Sequence, residues 1–336
     1  MDEYEFQKLT SLKPYVIGLG IREMSTVFGI VDALGNIKCM DKVKTRDYAD
    51  PTALVFDICD RLQPLVEQCG GWGNIKAMGI SAASGNNITH RIENAANLPW
   101  KGKIAMASMF QGRLGISVAL VNDCTAAAMG EMIYGAARGL KDYICIWIDG
   151  GLGAGLVLNG LTFMGNKGRV GEIGHVTLDP NGRHCTCGKV GCLESYVSRR
   201  GIRQTLCEIM EEKPDVPTRF RDVKPDDITV EAVAEAAEAG DALALETLAV
   251  TGNIFGHAMT AWASLVSPEA FVLTGGVANL CGKYMLPSIL EGLNENMFAP
   301  MRWTTKVYVS NLHGDKACIL YGSAVAWQTH EYDMVL

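Results

Sequence analysis

Two histidines, three cysteines and two glutamates crowd into the stretch from Gly171 to Glu194, GEIGHVTLDPNGRHCTCGKVGCLE, and their spacing suits a metal ion. His175 stands ahead of Cys185, Cys187 and Cys192, and one imidazole with three thiolates closes the tetrahedron of a zinc ion. Gly188 and Gly191 let the backbone turn tightly enough for three sulfurs to face one point. His184, beside Cys185, is the competing nitrogen; His175 is preferred because a distant ligand closes a loop that the ion then holds rigid. With all four positions filled by protein, such a zinc is structural and leaves no place for a substrate. The plainer reading is buried thiols in a Gly-rich loop, which suits a Cys-x-Cys cluster poorly. Eleven cysteines in a chain of 336 residues also make no disulfide framework.

Glu172 lies three residues before His175 and Glu194 two after Cys192, so both carboxylates are tied to the expected ligands. Acceptors fixed on either side of a metal knot suit a pocket that grips several hydroxyls, because a carboxylate takes two hydrogen bonds from vicinal O–H groups. On spacing alone the alternative is a pair of solvated surface glutamates.

What must position these groups is an α/β frame. Residues 15–21 and 26–32 read as strands joined by a tight turn, and a second turn from Asp32 leads to a strand at 37–40. Pro51 opens a helix to Gln68 whose Leu54, Ile58, Leu62, Leu65 and Val66 share a face. A buried strand at 75–81, a polar turn Ser84-Gly85-Asn86-Asn87, a strand at 118–122 and an alanine-rich helix at 124–134 continue the alternation. Strands follow at 143–148 and 155–158, then helices at 198–212 and 230–239 and a helical run at 241–266 broken at Gly252 and Gly256. Strands at 271–274 and 306–309 and a helix at 316–329 complete the chain. Asp123, between strand and helix, suits an N-cap, and Asn97, before Leu98-Pro99, a turn former. Gly150, Gly151 and Gly153 could cradle a phosphate or simply let strands cross closely. A hairpin follows them, which excludes a dinucleotide fingerprint.

The run Gly171-Glu172-x-Gly174-His175, with Cys185-x-Cys187-Gly188-x-x-Gly191-Cys192-x-Glu194, resembles the signature of the ROK family, bacterial sugar kinases and sugar-responsive repressors. The resemblance implies structural zinc on His175, Cys185, Cys187 and Cys192, and sugar hydroxyls on Glu172, His175 and Glu194. It also implies the actin-like, hexokinase-like (ribonuclease H-like) ATPase fold, two α/β domains with a cleft between them. These would be residues 1–122, with the 316–336 helix returning to them, and residues 123–315, carrying the zinc. Within the resemblance, residues 79–85 stand at the family's loop over the sugar, and Asn97 where an asparagine meets a sugar hydroxyl. Asn122-Asp123 stands at the catalytic base, which accepts the hydroxyl proton as the sugar oxygen attacks the γ-phosphate of ATP bound with magnesium. Gly275-Gly276 resembles the adenosine-side loop.

The phosphate loops depart from the family pattern. Where it has Asp-x-Gly-Gly-Thr, this chain has Gly20-Ile21-Arg22-Glu23-Met24, without the metal-side carboxylate, the paired glycines or the hydroxyl. Where it has Gly-Thr-Gly, this chain has Asp149-Gly150-Gly151. A carboxylate ~4 Å from a phosphate costs ~1 kcal/mol in water and ~4 at an effective dielectric of 20, unless magnesium or Arg22 offsets it. Arg22 is open to two uses, a bidentate phosphate contact or an ion pair with Glu23. The lead Asp179-Pro180-Asn181-Gly182 is similar to the repressor branch, yet only fourteen residues precede the first strand, too few for a helix-turn-helix domain.

The formal charge of −7 gives no basic footprint for direct nucleic-acid binding. No apolar run reaches the ~20 residues that span a bilayer, and the polar start MDEYEFQKLTSLK is unlike a signal, so a cytoplasmic location is expected. The family's habit implies a homodimer. Three readings follow: a sensor for a hexose or N-acetylhexosamine with weak or no kinase activity, an active ATP-dependent sugar kinase, and the core of a sugar-responsive regulator.

Overall fold

Apolar runs punctuated by tight turns build the first sheet. In the computed structural model, which describes residues 13–95 and 97–328, β1 (Tyr15–Ile21), β2 (Thr26–Asp32) and β3 (Ile37–Val43) form an antiparallel meander. Helix α1 (Pro51–Gln68) starts under an Asp50 cap whose carboxylate accepts from the Thr52 N–H, and it buries Leu54, Val55, Ile58, Leu62 and Val66. β4 (Ile75–Ala82) runs parallel to β1. The short pair β5 (Ile92–Glu93) and β6 (Lys103–Ile104), helix α2 (Met106–Leu114), β7 (Ser117–Asn122) and helix α3 (Asp123–Tyr134) follow. β7 lies parallel to β4, which gives the order β3-β2-β1-β4-β7.

The second sheet repeats that plan. β8 (Tyr143–Ile148) and β9 (Leu152–Leu158) form an antiparallel hairpin and β10 (Leu161–Thr162) lies beside β9. After helices α4 (Glu194–Val197), α5 (Arg199–Glu212), α6 (Val230–Glu238) and α7 (Ala242–Val266) comes β11 (Ala270–Thr274), parallel to β8. Helix α8 (Gly276–Glu295) leads to β12 (Lys306–Val309), parallel to β11, and helix α9 (Gly314–Gln328) ends the described chain. The order is β10-β9-β8-β11-β12, so both sheets pass through the same 3-2-1-4-5 arrangement.

Residues 13–139, 162–170 and 312–328 form one compact unit, and Leu140–Leu161 with Gly171–Asn311 the other. A division at 122/123 puts α3 in the second unit, but α3 groups with the first. The buried Glu131 carboxylate on α3 accepts the Tyr321 hydroxyl at 2.9 Å, and Ser323 bonds Tyr134 at 3.1 Å, so α3 is packed against α9. Helix α9 in turn presses its backbone onto β1 and β4. A Cβ on Gly18 would lie 2.0 Å from the Ile319 carbonyl oxygen, and one on Gly79 2.1 Å from that of Gly322.

Four elements differ from the sequence expectation, and glycines are the shared reason. Gly252 and Gly256 do not break α7; they admit α8, since a Cβ at either would lie 2.6 or 2.1 Å from the Met285 or Ile289 oxygen. Helix α8 is absent from the sequence reading because Gly276, Gly282, Pro287 and Gly292 hide its period, and α2 because it is short and ends at Gly115 in the left-handed region. β9 begins at Leu152, so Gly153 is a ladder residue opposite Trp147, and Asp149, Gly150 and Gly151 make the turn. The polar start at 1–12 and the end of the last helix at 329–336 lie outside the described residues. Among the described residues no helix is long and apolar enough to cross a membrane.

Candidate functional site

Glycines decide where the segment carrying His175 and the three cysteines lies. Gly171, at φ +82°, would place a Cβ 1.7 Å from the Ala154 oxygen, and Gly174 one 2.4 Å from the Leu152 oxygen, so this backbone can sit only flush against β9. The Ala154 N–H donates to the Gly171 carbonyl at 2.8 Å, and a short 3-10 turn over Ile173–His175 then points the imidazole back. Further on, Gly191 (φ +76°) lies so close to the Asp179 carbonyl that no other residue fits, and Gly188 (φ +90°) closes the Cys185–Lys189 turn. The result is a cluster of His175, Cys185, Cys187 and Cys192 whose ligand atoms all lie within 4.8 Å of one another.

The cluster fits a tetrahedral ion. Cys187 and Cys192 are 3.7 Å apart sulfur to sulfur, and Cys185 Sγ is 3.9 Å from His175 Nδ1. Two Zn–S bonds of ~2.3 Å at the tetrahedral angle span ~3.8 Å. Cys185 and Cys192 are buried and Cys187 is exposed. Burial, then the two neighbouring thiols, raises Cys192 to about 12, while the Lys189 backbone N–H holds Cys187 below the ordinary thiol value. His184 stands outside the cluster; its carbonyl accepts from Ser195 and Arg200 instead. The loop is anchored by Arg183, which stacks on Tyr196 and donates to the Ser195 and Gly201 carbonyls, Thr205 and Glu208.

Glu194 joins the cluster to the glycine turn: its Oε2 accepts from the Leu152 N–H at 3.0 Å, and its Oε1 lies 3.9 Å from Cys185 Sγ. Glu172 begins the 3-10 turn with its side chain exposed. In the first unit, Asn122 is the residue that caps α3, its Oδ1 accepting from the Cys124 N–H at 2.9 Å. Asp123 is the first helical residue, where the helix dipole favours a carboxylate. Asn97 lies exposed on the bend before Trp100.

The expected nucleotide groups are engaged otherwise. Arg22 pairs with Asp315, 293 residues away, and also donates to Ser25 at 3.2 Å; the ion pair with Glu23 is not formed, because Glu23 pairs with Arg46. Lys42 adds a second cation to Asp315 at 3.4 Å. In the second unit, the added charge of Asp149 is offset by Arg199, whose other end holds Glu231 at 2.7 Å. Burial opposes it, but the Arg199 hydrogen bond keeps the Glu231 carboxyl below its ordinary range. This pair lies against the start of α8: a Cβ on Gly276 would meet Arg199 at 2.6 Å and Asp149 at 2.9 Å. Arg199, Asp315, Arg46 and Asn87 were not singled out from sequence as site residues. An uncompensated aspartate in a glycine turn was the signal that a distant cation must exist.

Two sheets of the same order, each with three parallel strands flanked by an antiparallel pair, define the actin-like ATPase fold. The chain belongs to the ROK family, whose model matches residues 16–330. It is 31% identical over 267 residues to a glucokinase of Streptomyces coelicolor, covering 78% of this chain and 82% of that protein. The structure of a ROK family glucokinase from Streptomyces griseus in complex with glucose and AMPPNP superposes with a TM-score of 0.76 at 29% identity, covering 94% of this chain and 99% of the other. A ROK family transcriptional regulator, homologous to the E. coli MLC protein, gives 0.82 at 25% identity, over 94% of this chain and 78% of its own.

Proposed function

We propose that this chain recognises a hexose or an N-acetylhexosamine as a sensor with little or no kinase activity. One observation carries the reading. The four residues suited to zinc lie within 4.8 Å of one another with Glu194 beside them, whereas the groups suited to ATP are replaced and Arg22, Glu23 and Asp149 are held in ion pairs. On this reading Glu172, His175 and Glu194 read sugar hydroxyls, with Asn97, Asn122 and Asp123 completing the set. Zinc on His175, Cys185, Cys187 and Cys192 would supply rigidity alone, since no coordination position is left for a substrate. Binding requires only that these acceptors be held still, because a site built to hydrogen-bond hydroxyls discriminates strongly against ligands that lack them.

The residues at Gly20–Met24 and Asp149–Gly151 do not fit Mg·ATP. Arg22 is engaged by Asp315, and Asp149 brings into its glycine turn a carboxylate that Arg199 offsets, in place of groups that would favour a polyanion. A kinase reading, with Asp123 as the base, is favoured by the retained Asn122-Asp123 corner at the head of α3 and by the glucokinase relatives. The regulator reading has the transcriptional regulator structure on its side. The protein is proposed to act as a cytoplasmic homodimer on a free sugar.

Calorimetry with glucose, mannose, N-acetylglucosamine and N-acetylmannosamine, in the absence of nucleotide, is expected to find saturable binding of at least one. If none of the four binds, sugar recognition is refuted.

A further inference from the structure

The turn after β4 carries two buried asparagines that a local turn does not require. Asn87 is 5% exposed, and both ends of its amide are used far away in sequence: Oδ1 accepts the Asn122 N–H at 2.7 Å, and Nδ2 donates to Thr125 Oγ1 at 3.0 Å. The oxygen must face the N–H and the amino group the hydroxyl, so the orientation of the amide is fixed by its partners. These partners flank Asp123, one residue before it and two after it.

Such a bracket sets the backbone on which the Asp123 carboxylate stands. Asn122 closes β7 and caps α3, so its own N–H has no place inside the helix; without Asn87 that donor would face a half-buried corner unpaired. Asn87 is itself held. Its N–H donates to the Gly168 carbonyl at 3.1 Å, and the neighbouring Asn86 donates to the Lys167 carbonyl at 3.0 Å while accepting from the Ile88 and Thr89 N–H groups. Gly168, at φ +66°, allows that approach, because a Cβ there would lie 2.4 Å from Asn86 Oδ1. A Glu93–Arg169 ion pair closes the same contact.

We propose that Asn87 is a positioning residue for ligand recognition, acting through Asp123 by holding Asn122 and Thr125 on either side of it. The inference rests on the sugar reading given above. Its test is a double-mutant cycle on sugar affinity, measured by calorimetry with the tightest sugar of the four-member panel. Asn87→Ala is expected to weaken binding roughly tenfold, the scale of one lost hydrogen bond in a positioned site, and to have less than about a twofold effect in an Asp123→Ala background. A merely structural asparagine would weaken both backgrounds equally, and that result overturns the proposal. Thr125→Val, which removes one half of the bracket at nearly constant shape, keeps the test open if Asn87→Ala fails to fold. It is expected to weaken binding about threefold, again only with Asp123 present. A protein that binds sugar and responds to Asp123→Ala, but not to either bracket variant, sinks this inference and leaves the sugar reading standing. A protein that binds none of the sugars sinks both.

Discussion

Chelation is expected to abolish sugar binding, and adding zinc back to restore it. Four ligand atoms lie within 4.8 Å of one another, three of them cysteine sulfurs, so an ion among them would tie the Cys185–Cys192 loop to His175. Structural zinc contributes ~10–16 kcal/mol in small zinc domains, far more than the hydrogen bonds that otherwise close the Cys185–Cys192 loop. His175 and Glu194 both belong to this assembly, the first as a ligand and the second through its contacts with Cys185 and the Leu152 N–H. Releasing the ion therefore frees the groups proposed to read hydroxyls. The check is a sugar titration before chelation, after it and after zinc is returned, with bound metal quantified at each stage. Chelated protein that binds sugar with unchanged affinity would show that the knot does not brace the site.

The second large effect is expected at Glu194. Glu194→Ala removes the proposed hydroxyl acceptor and also releases the Leu152 N–H at the start of β9, where Gly151 leaves just enough room for the carboxylate. A hydrogen bond to a charged group contributes ~1.5–3 kcal/mol, so losing the sugar contact alone should weaken binding by roughly ten- to a hundredfold. Glu194→Gln keeps one acceptor oxygen and should fall between wild type and alanine. Calorimetry on the three proteins, with melting curves to confirm folding, reads the order directly. Equal affinities in all three would remove Glu194 from the site.

What could be read from the chain and what could not divides by range. The cluster of His175 with Cys185, Cys187 and Cys192 was legible because its members lie within eighteen residues and their types are distinctive. The strands from β1 to β4 and helix α1 were legible because their apolar periods are clean. Partner choice was not. Arg22 beside Glu23 suggests a local pair, yet the fold brings Asp315 to Arg22 and Arg46 to Glu23, and no local pattern encodes which carboxylate arrives. Asp149 reads as an added charge in a glycine turn, and the cation beside it is Arg199 at the head of α5 rather than Arg22. Glycines misled for a related reason. Gly252, Gly256 and Gly292 look like helix breakers in sequence, whereas in the second unit they are the points at which α7 and α8 touch backbone to backbone. Asn87 reads as a turn residue until the topology carries β7 alongside β4 and brings Asn122 within 2.7 Å of it.

The central claim is that carbohydrate recognition persists where the nucleotide contacts have been replaced by internal ion pairs. The most direct measurement is a coupled phosphotransfer assay with ATP and magnesium, run on the sugar that binds most tightly. The account predicts turnover far below the ~1–100 s⁻¹ common among kinases, unchanged by Asp123→Asn. Turnover of several per second that disappears in Asp123→Asn would contradict it and make the protein a working sugar kinase.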